Sequence, residues 1–344
     1  MPQNVFMSEH PFAEYIRILG RGKKGARSLT FDEARNAMSM ILADAVEPVQ
    51  LGAFLMLMRV KEESPEELAG FVKAAREALS LEGRPLPRAM VDWSTYAGKR
   101  RQLPWYILAA LLLAENGVTI LMHGTQGHKD DRIYAPAVIE YLGLPLCRDF
   151  GEVEEQITSR CFAFIELERF CPKLKQILDL RGKFGLRSPI NTLLRMINPL
   201  DAPYLMQGIF HPGYRDIHQQ AALLLGQPHM VVFKGEGGET ERNPDVECKL
   251  LMVDDGVARE ETWPAMFTRR HLRNEDMAIE HLCALWRGEI DDEYGVGAVT
   301  GTAAIGLRLL GRASDAASAE RLAGEMWAAR PRDRYGARRT DAGA

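Results

Sequence analysis

The sequence predicts an α/β fold, with a small N-terminal helical bundle domain followed by a large α/β domain whose mostly parallel central sheet is covered by helices. Two observations lead to this prediction. The first eighty or so residues contain four helical segments. From about residue 90 onward, apolar runs of strand length alternate with runs of helical length, which is typical of a parallel sheet with crossover helices.

Each of the four N-terminal helices has a local signal. An apolar stripe over 12–19 predicts the first helix, which three closely spaced glycines then end. Thr30 followed by Glu33 is a capping box that opens the second helix, and SPEE at 64–67 opens the fourth with proline in its first turn. Residues 49–60 are nearly all apolar, so the third helix should be buried on most faces.

The helical domain is predicted over 10–84, and the α/β domain over 88–172 and 206–328. LEGRPLPRAM is interpreted as the linker between them, and the helical segment 173–205 is expected to complete the first domain. Strands are predicted at 90–93, 118–122, 161–165, 229–233 and 249–253, and helices at 104–116, 133–142, 217–225, 278–286 and 297–310. The tail, 329–344, is rich in arginine, glycine and alanine and is expected to be disordered.

Composition excludes several classes of protein. Of 344 residues, 46% are hydrophobic and 26% charged, which is typical of a globular chain. The net charge of -4 gives no general attraction to polyanions, so a nucleic-acid site would have to be a local basic patch. Five scattered cysteines without a C-x-x-C pair favour free thiols in a reducing compartment. With no signal-peptide pattern and no apolar run long enough to span a bilayer, we expect a cytoplasmic protein.

Three segments combine glycine with basic side chains and are candidate phosphate sites. STYAGKRRQ at 94–102 lies after a predicted strand and before a helix, where backbone N–H groups and a helix dipole favour anions. RGKKGAR at 21–27 places four cations between the first two helices. In RGKFGLRS at 181–188, Arg187 lies four and eight residues before Asn191 and Arg195, so all three share a face if the segment is helical. The alternative is a solvated basic turn for the first two segments and a solvated helix face for the third.

Two further loops contain carboxylates or histidines at predicted strand ends. In MHGTQGHKDDR at 122–132, His123 could act as an acid or base, although a histidine at a strand end is more often structural. Asp130 and Asp131 could bind a metal, although adjacent carboxylates often simply begin a helix. KGEGGETER at 234–242 is a glycine-rich acidic loop whose oxygens could hold Mg²⁺ or which could be a flexible turn.

The order of these features resembles that of the anthranilate phosphoribosyltransferases and the related pyrimidine nucleoside phosphorylases, from about residue 10 to 328. LGAFLMLMRVKEESPEELAGFVKAAREAL resembles the family's third and fourth helices, and HGTQGHKDDRIYAPAVIEYLGLP its histidine-glycine-asparagine loop and following helix. RGKFGLRSPINTLLRMINPL resembles its arginine-bearing crossover, and VVFKGEGGETER its strand and acidic metal loop. The resemblance implies the family's fold and homodimer.

The loops that bind phosphoribosyl pyrophosphate in these enzymes are altered here. Their glycine-threonine-glycine-glycine-aspartate loop corresponds to 94–100, where only Gly98 could serve. The asparagine of the second loop is Thr125, and the aspartate-glutamate metal pair is Thr240-Glu241. RGK at 21–23, the tyrosine-x-glycine-x-basic loop at 96–100 and the HGT at 123–125 resemble a divergent bacterial branch. That branch implies nucleic-acid binding without sequence preference and no anthranilate reaction.

The resemblance therefore implies a homodimer that binds nucleic acid at the former phosphate site and needs no cofactor. The implied contacts are Tyr96, Gly98, Lys99, Arg100, Arg101, His123, Gly124, Thr125, Arg21, Lys23, Lys24, Arg27, Lys183 and Arg187. The alternative is a phosphoribosyl or pentosyl transferase with an unidentified acceptor, in which Glu241, with Asp130, would bind Mg²⁺. A purely structural dimer is a third alternative.

Overall fold

The computed structural model of the protein describes residues 9–22, 24–79, 81, 90–127, 129–272 and 276–336. Both predicted parts are present, an N-terminal helical bundle and a mostly parallel sheet covered by helices. The helices are α1 Ala13–Gly20, α2 Phe31–Leu42, α3 Pro48–Lys61, α4 Pro65–Ala78, α5 Trp105–Glu115, α6 Ala135–Tyr141, α7 Phe150–Arg160, α8 Leu167–Phe170, α9 Pro172–Asp179, α10 Arg181–Phe184, α11 Ile190–Leu193, α12 Tyr214–Leu224, α13 Glu280–Arg287, α14 Glu293–Leu309 and α15 Ala316–Ala329. The strands are β1 Val91–Thr95, β2 Ile120–Gly124, β3 Leu146–Cys147, β4 Phe162–Glu166, β5 Tyr204–Ile209, β6 His229–Lys234, β7 Cys248–Asp254 and β8 Val257–Trp263.

The predicted capping signals define the starts of two bundle helices. The Thr30 hydroxyl accepts the N–H of Glu33 at 3.2 Å, and the Glu33 carboxylate accepts the N–H of Thr30 at 2.8 Å, so α2 begins at the capping box. Ser64 and Glu67 form the same reciprocal pair at the start of α4. The Glu67 carboxylate also accepts Nζ of Lys61 at 2.6 Å, which ties α4 to the end of α3.

The strands form one sheet in the order β3-β4-β2-β1-β5-β6-β7-β8. Neighbouring strands are parallel from β3 through to β6, whereas β7 and β8 add an antiparallel hairpin at the edge. Thr95 pairs with Gly124 and Gly124 with Glu166, so the carboxyl ends of β1, β2 and β4 are level. Open parallel sheets bind ligands at this edge, and the loops after β1, β2, β5 and β6 all leave the sheet there.

Helices cover both faces of the sheet. On one face, α5 packs with α14, and a Cβ at Gly306 would lie 2.8 Å from Leu113, so the glycine permits their close approach. On the other face, α12 and the N-terminal bundle share one apolar core with Leu205, Met230 and Val253 of the sheet. Residues of α9 and α11 belong to the same core. The bundle is therefore held to the sheet by continuous apolar packing.

The third helix, α3, is less buried than its apolar sequence predicts. Phe54, Leu55 and Met58 are buried, but Val49 and Val60 are 79% and 85% exposed. The helix is apolar on every side, so the part of its surface that α1 and the other neighbours leave uncovered is also apolar. The prediction of burial on most faces is wrong for the single chain.

Several elements differ from the prediction, among them the short strand β3 and the short helix α8, which were not predicted. The sequence predicts helix up to 205, but β5 begins at Tyr204 because this segment completes the sheet between β1 and β6. The strand β8, with the sequence VAREETW, was not predicted, since its residues are mostly charged and exposed and pairing with β7 holds it in place. Helices α7 and α15 were likewise not predicted, although aspartate caps begin both of them.

The predicted disorder of the C-terminal tail is wrong for residues 330–336. The Arg330 guanidinium donates to three backbone carbonyls, including those of Trp286 and Trp327 at 2.7 and 2.6 Å. It also lies 3.6 Å from the centre of the Trp327 ring, an arrangement in which cation and aromatic face attract. Residues 337–344, with the last two arginines of the tail, lie outside the described part of the chain.

Candidate functional site

The loops after β1, β2 and β5 meet the crossover helices α9, α10 and α11 at one edge of the sheet. Two cavities of about 380 and about 80 Å³ lie there, and Tyr96 and Asn191 line both of them. The larger is bounded by the loop after β2 and by α9 and α10, and the smaller by the end of α3, by α11 and by the start of α12. We call the two cavities together the cleft.

The ring of Tyr96 is anchored to two buried side chains of the sheet. Its hydroxyl lies 2.7 Å from Nδ1 of His123, whose Nε2 lies 3.3 Å from Oδ1 of Asp92. A proton on Nε2 donated to Asp92 leaves Nδ1 to accept the hydroxyl of Tyr96. His123 and Asp92 are both fully buried. His123 therefore positions Tyr96 and does not itself present a group to a phosphate, contrary to the prediction.

The ammonium of Lys99 is buried in an internal ion pair. Its Nζ lies 2.5 Å from Oε1 of Glu241, while Oε2 of the same carboxylate accepts the N–H of Tyr106 at 2.9 Å. Burial raises the pKa of the Glu241 carboxyl, and the charge of Lys99 opposes that shift. Neither Lys99 nor Glu241 has a free group for a ligand, so the structure contradicts the predicted phosphate contact of the first and the metal contact of the second.

The backbone between β1 and α5 is fixed from two sides. The N–H groups of Ala97 and Gly98 donate to Oε1 of Glu239 at 2.7 and 2.6 Å, and their carbonyl oxygens accept Nη1 of Arg132 at 2.8 and 3.1 Å. Gly98 has φ of +68°, and a Cβ there would lie 2.6 Å from the ring of Tyr134, so only glycine fits. The N–H that Gly98 was predicted to offer to a phosphate is already bound.

Several cations line the cleft without forming a salt bridge to any residue that the structure describes. We call them the cleft cations: Arg59, Lys129, Arg181 and Arg187. Burial, together with the charges of Arg195, Arg181 and Arg132, lowers the pKa of Arg187 to about 10. Half-buried guanidinium groups that repel one another and have no carboxylate partner are stabilised by an incoming anion.

The carboxylates that line the cleft are bound to other side chains. Glu63 is buried and accepts the hydroxyl of Tyr214 at 3.1 Å, and burial raises its pKa. Asp179 accepts Nζ of Lys175 at 2.7 Å. These contacts turn the acidic groups toward their partners, so the cleft cations dominate the charge of the opening.

The remaining predicted basic residues fall into two groups. Nε of Arg100 lies 2.9 Å from a carboxylate oxygen of Asp131, and Arg27 donates twice to Glu33 at 2.6 Å, so both are already paired at the surface. Lys23 lies outside the described residues. The others are exposed and make no salt bridge within the described ranges: Arg21, Lys24, Arg101 and Lys183.

Gly124 and Thr125 shape the loop after β2. Thr125 lines the larger cavity, but its hydroxyl is bound to another side chain and is not free to contact a phosphate. Oγ1 of the buried Thr125 donates to a carboxylate oxygen of Glu168 at 2.8 Å. A Cβ at Gly124 would lie 2.3 Å from the carbonyl oxygen of Thr95, so glycine allows β1 and β2 to end side by side.

Comparison with known proteins places this architecture in one family. Residues 13–79 match the description "Glycosyl transferase family, helical bundle domain". The chain is 30% identical to an uncharacterized protein of Aquifex aeolicus over 67% of this chain and 70% of that protein. It is 29% identical to the anthranilate phosphoribosyltransferase of Methanosarcina acetivorans over 77% of this chain and 70% of that one.

This chain belongs to glycosyltransferase family 3, the anthranilate phosphoribosyltransferase-like family. The crystal structure of the Thermus thermophilus anthranilate phosphoribosyltransferase has the same fold, with a TM-score of 0.78, 24% identity, and coverage of 93% of this chain and 95% of that one. The uncharacterized Escherichia coli protein YbiB is 27% identical over 71% of this chain and 76% of its own length. Such uncharacterized relatives fit a divergent branch of the family.

Some site residues of this family member lay outside the predicted set. Arg181 belongs to the same basic segment as Lys183 and Arg187, and Lys129 lies between a glycine and two aspartates, so local composition could have indicated both. Arg59 ends an apolar helix and has no local signal. The role of Glu239 depends on a contact across more than 140 positions, which a single sequence does not reveal.

The structure adds two findings on metals and membranes. Among the described residues, no group of three or more histidine, cysteine, aspartate or glutamate side chains is arranged to hold a metal ion. Within the same residues, none of the helices combines the length and apolar character that crossing a bilayer requires.

Proposed function

We propose that this family member is a homodimer that binds nucleic acid through its phosphate backbone, without sequence preference, and does not carry out the anthranilate reaction. The observation that supports nucleic-acid binding is the set of unpaired cleft cations, with Arg101 and Lys183 exposed on the adjoining segments. In this proposal Lys99, His123 and Thr125 hold the loops in place, while the unpaired cations contact phosphate.

Local charge makes the proposal compatible with a net charge of -4. Arginine forms two parallel hydrogen bonds to a phosphate group and loses little hydration in doing so. Each phosphate that the cleft neutralises releases condensed counterions, so affinity should fall steeply with salt. A basic cleft on a mildly acidic protein also disfavours binding elsewhere on its surface.

Aromatic rings beside the cations favour single-stranded nucleic acid. Tyr96 lines both cavities, with its hydroxyl held by His123, and Phe210 at the smaller cavity is 52% exposed. Unpaired bases stack on such rings with little regard for sequence, and backbone phosphates pair with neighbouring cations. We therefore expect tighter binding of single strands than of duplex of the same length.

Fluorescence anisotropy with labelled 20-nucleotide single strands and duplexes of two unrelated sequences tests this function. Affinity should fall linearly on a log–log plot against salt and should differ little between the sequences. Nucleic-acid binding that does not change with salt, or no binding at low salt, would refute the proposal.

The exposed apolar stripe of α3 supports the homodimer. Val49 and Val60 are three turns apart on this helix, and a second copy of the chain would remove both from water. Light scattering should give twice the chain mass of 38.6 kDa, and Val60→Glu should give the monomer. Val257→Glu is the matched control, because Val257 is 54% exposed on β8 and should leave the mass unchanged. A monomeric wild-type protein would contradict the homodimer.

A pentosyltransferase that uses phosphoribosyl pyrophosphate is the second candidate. Its support is the shared fold of the yeast anthranilate phosphoribosyltransferase, solved in complex with PRPP and Mg, with a TM-score of 0.75 and 16% identity over 94% of each chain. The residues here do not fit that metal, because both oxygens of Glu241 are bonded and Thr240 Oγ1 accepts the N–H of Gly208 at 2.8 Å.

Titration calorimetry separates the two candidates. Phosphoribosyl pyrophosphate with Mg²⁺ should give no heat of binding if the protein is a nucleic-acid binder only. Saturable heat, followed by consumption of phosphoribosyl pyrophosphate with a candidate acceptor, would favour the transferase.

A further inference from the structure

The loop after β1 forms a concave anion site that the protein itself fills. The N–H groups of the consecutive residues Ala97 and Gly98 converge on one oxygen of Glu239, at 2.7 and 2.6 Å. Successive N–H groups that point the same way, with the second residue at positive φ as Gly98 is, form a concavity suited to anions. The anion in it is a carboxylate that the chain supplies from the loop after β6.

The carboxylate of Glu239 does not contribute to stability in an obvious way, because burying a charged group costs free energy. It is fully buried and makes no salt bridge within the described residues, and its hydrogen-bond partners there are two backbone N–H groups and the side chain of Thr95, all of them uncharged. Burial raises the pKa of its carboxyl, and the charge of Arg195 only partly opposes this. Burying a carboxylate without an ion-pair partner is destabilising, so we expect the charge of Glu239 to serve a purpose other than stability.

Glu241, two residues further on, fills the adjacent donors. Its Oε1 lies 2.5 Å from Nζ of Lys99 and its Oε2 accepts the N–H of Tyr106, in the first turn of α5. Glu239 and Glu241 thus occupy four donors at the carboxyl end of β1: two loop N–H groups, an ammonium group and a helix N–H. Such a combination suits two linked phosphate groups, and two carboxylates of a single loop take their place.

We propose that Glu239 and Glu241 are resident anions that close a site for linked phosphate groups at the start of α5, and that Glu239 is the residue that excludes external phosphate from it. The phosphates of a nucleic acid would then bind at the cleft cations and not at the N–H groups of Ala97 and Gly98. This inference does not require nucleic-acid binding, because the closed site exists whether or not the cleft binds a polymer.

Calorimetry with sodium pyrophosphate in the absence of Mg²⁺ tests the proposal on the full-length chain. Glu239→Ala removes both the charge and the bulk, Glu239→Gln removes the charge and keeps an oxygen for the two N–H groups, and the wild-type protein keeps both. Affinity should therefore rank Ala above Gln above wild type, with at least about a tenfold gain for Glu239→Ala. Glu236→Gln, a partly exposed carboxylate in the same loop that accepts Nδ2 of Asn243 at 3.0 Å, should behave as wild type.

Each outcome decides the proposal. A folded Glu239→Ala protein with wild-type pyrophosphate affinity overturns it, and so does tight pyrophosphate binding by the wild-type chain. If Glu239→Ala fails to fold, the comparison of Glu239→Gln with wild type decides, because the glutamine oxygen can keep both backbone hydrogen bonds; no gain over wild type overturns the proposal. DNA binding by Glu239→Gln should stay within about twofold of wild type. Absence of DNA binding by the wild-type protein in the anisotropy assay would refute the proposed function, whereas the pyrophosphate titrations alone decide the role of Glu239.

Discussion

Replacing Arg181 and Arg187 together with glutamine should weaken nucleic-acid binding in a way that depends on salt. Both side chains line the cleft, neither has a salt-bridge partner in the described structure, and glutamine keeps polarity and much of the length. If all four cleft cations contact phosphate, log affinity should fall with log salt with a slope of about -3.6 per chain for duplex DNA. Losing two contacts should make that slope shallower by about 1.8, or by about 1.4 for a single strand.

The salt dependence separates this effect from general damage. Between 50 and 200 mM salt, the ratio of wild-type to variant affinity for duplex should shrink about twelvefold, because each lost contact removes about 0.9 from the slope. Anisotropy titrations at four salt concentrations measure the slope directly. Arg160→Gln is the control, since Arg160 is exposed, makes no salt bridge within the described residues and ends α7 at the opposite edge of the sheet. Equal slopes for wild type and the double variant would refute the assignment of the cleft.

Three further predictions follow from individual contacts. Asp131→Asn should raise nucleic-acid affinity about twofold to fourfold at low salt, because it releases Arg100 from its half-exposed partner. Adding Arg100→Gln to the Asp131→Asn protein should abolish this gain, and anisotropy titrations measure both variants. Burial lowers the pKa of His218 to about 3 from its ordinary 6.5. The stability that depends on its neutral form is therefore fully present above pH 6.5 and is lost as pH falls toward 3. Urea unfolding should show the difference between wild type and His218→Gln changing by about 1.2 kcal/mol as pH falls from 6 to 5. Arg330→Gln should lower the free energy of unfolding, measured in urea, by about 3 kcal/mol, because it removes charge-assisted hydrogen bonds to three carbonyls and the contact with Trp327. Arg332 is exposed, so Arg332→Gln is the control and should change the free energy of unfolding by less than about 0.5 kcal/mol.

Local signals predicted the fold wherever one element depends mainly on its own residues. The capping boxes at Thr30 and Ser64 define helix starts because their hydrogen bonds close within three residues. Strand β8 was missed because a strand at a sheet edge can be charged on most positions when a neighbouring strand supplies its hydrogen bonds. The tail was misjudged for a related reason, since Arg330 is ordered by carbonyls more than forty residues away.

At the candidate site, the positions of the loops could be predicted from the sequence, whereas the orientations of their side chains could not. The strand-end positions of 94–102 and 122–132 predicted one edge of the sheet for both, and the family resemblance added 181–188 to the same site; residues of all three segments line the cleft. The sequence did not predict that Lys99 turns inward, because that depends on Glu241 in a loop 142 positions away. Position follows from the order of strands, whereas orientation follows from partners that are distant in the chain.

The inward carboxylates explain how an acidic protein can present a basic cleft. Counting side chains gives 47 acidic against 43 basic residues, which argues against binding a polyanion. At the edge of the sheet, however, Asp92, Glu239 and Glu241 are fully buried. Asp92 contacts a histidine, Glu239 accepts backbone N–H groups, and Glu241 pairs with Lys99. Acidic groups held this way contribute little to the potential outside, while Arg181 and Arg187, which form no salt bridge with any residue of the described ranges, face the opening. The charge that a ligand meets is therefore set by the groups that remain unpaired at the cleft, and not by the net charge of the whole chain. Replacing Arg181 and Arg187 should accordingly weaken binding more than replacing two exposed cations elsewhere on the surface.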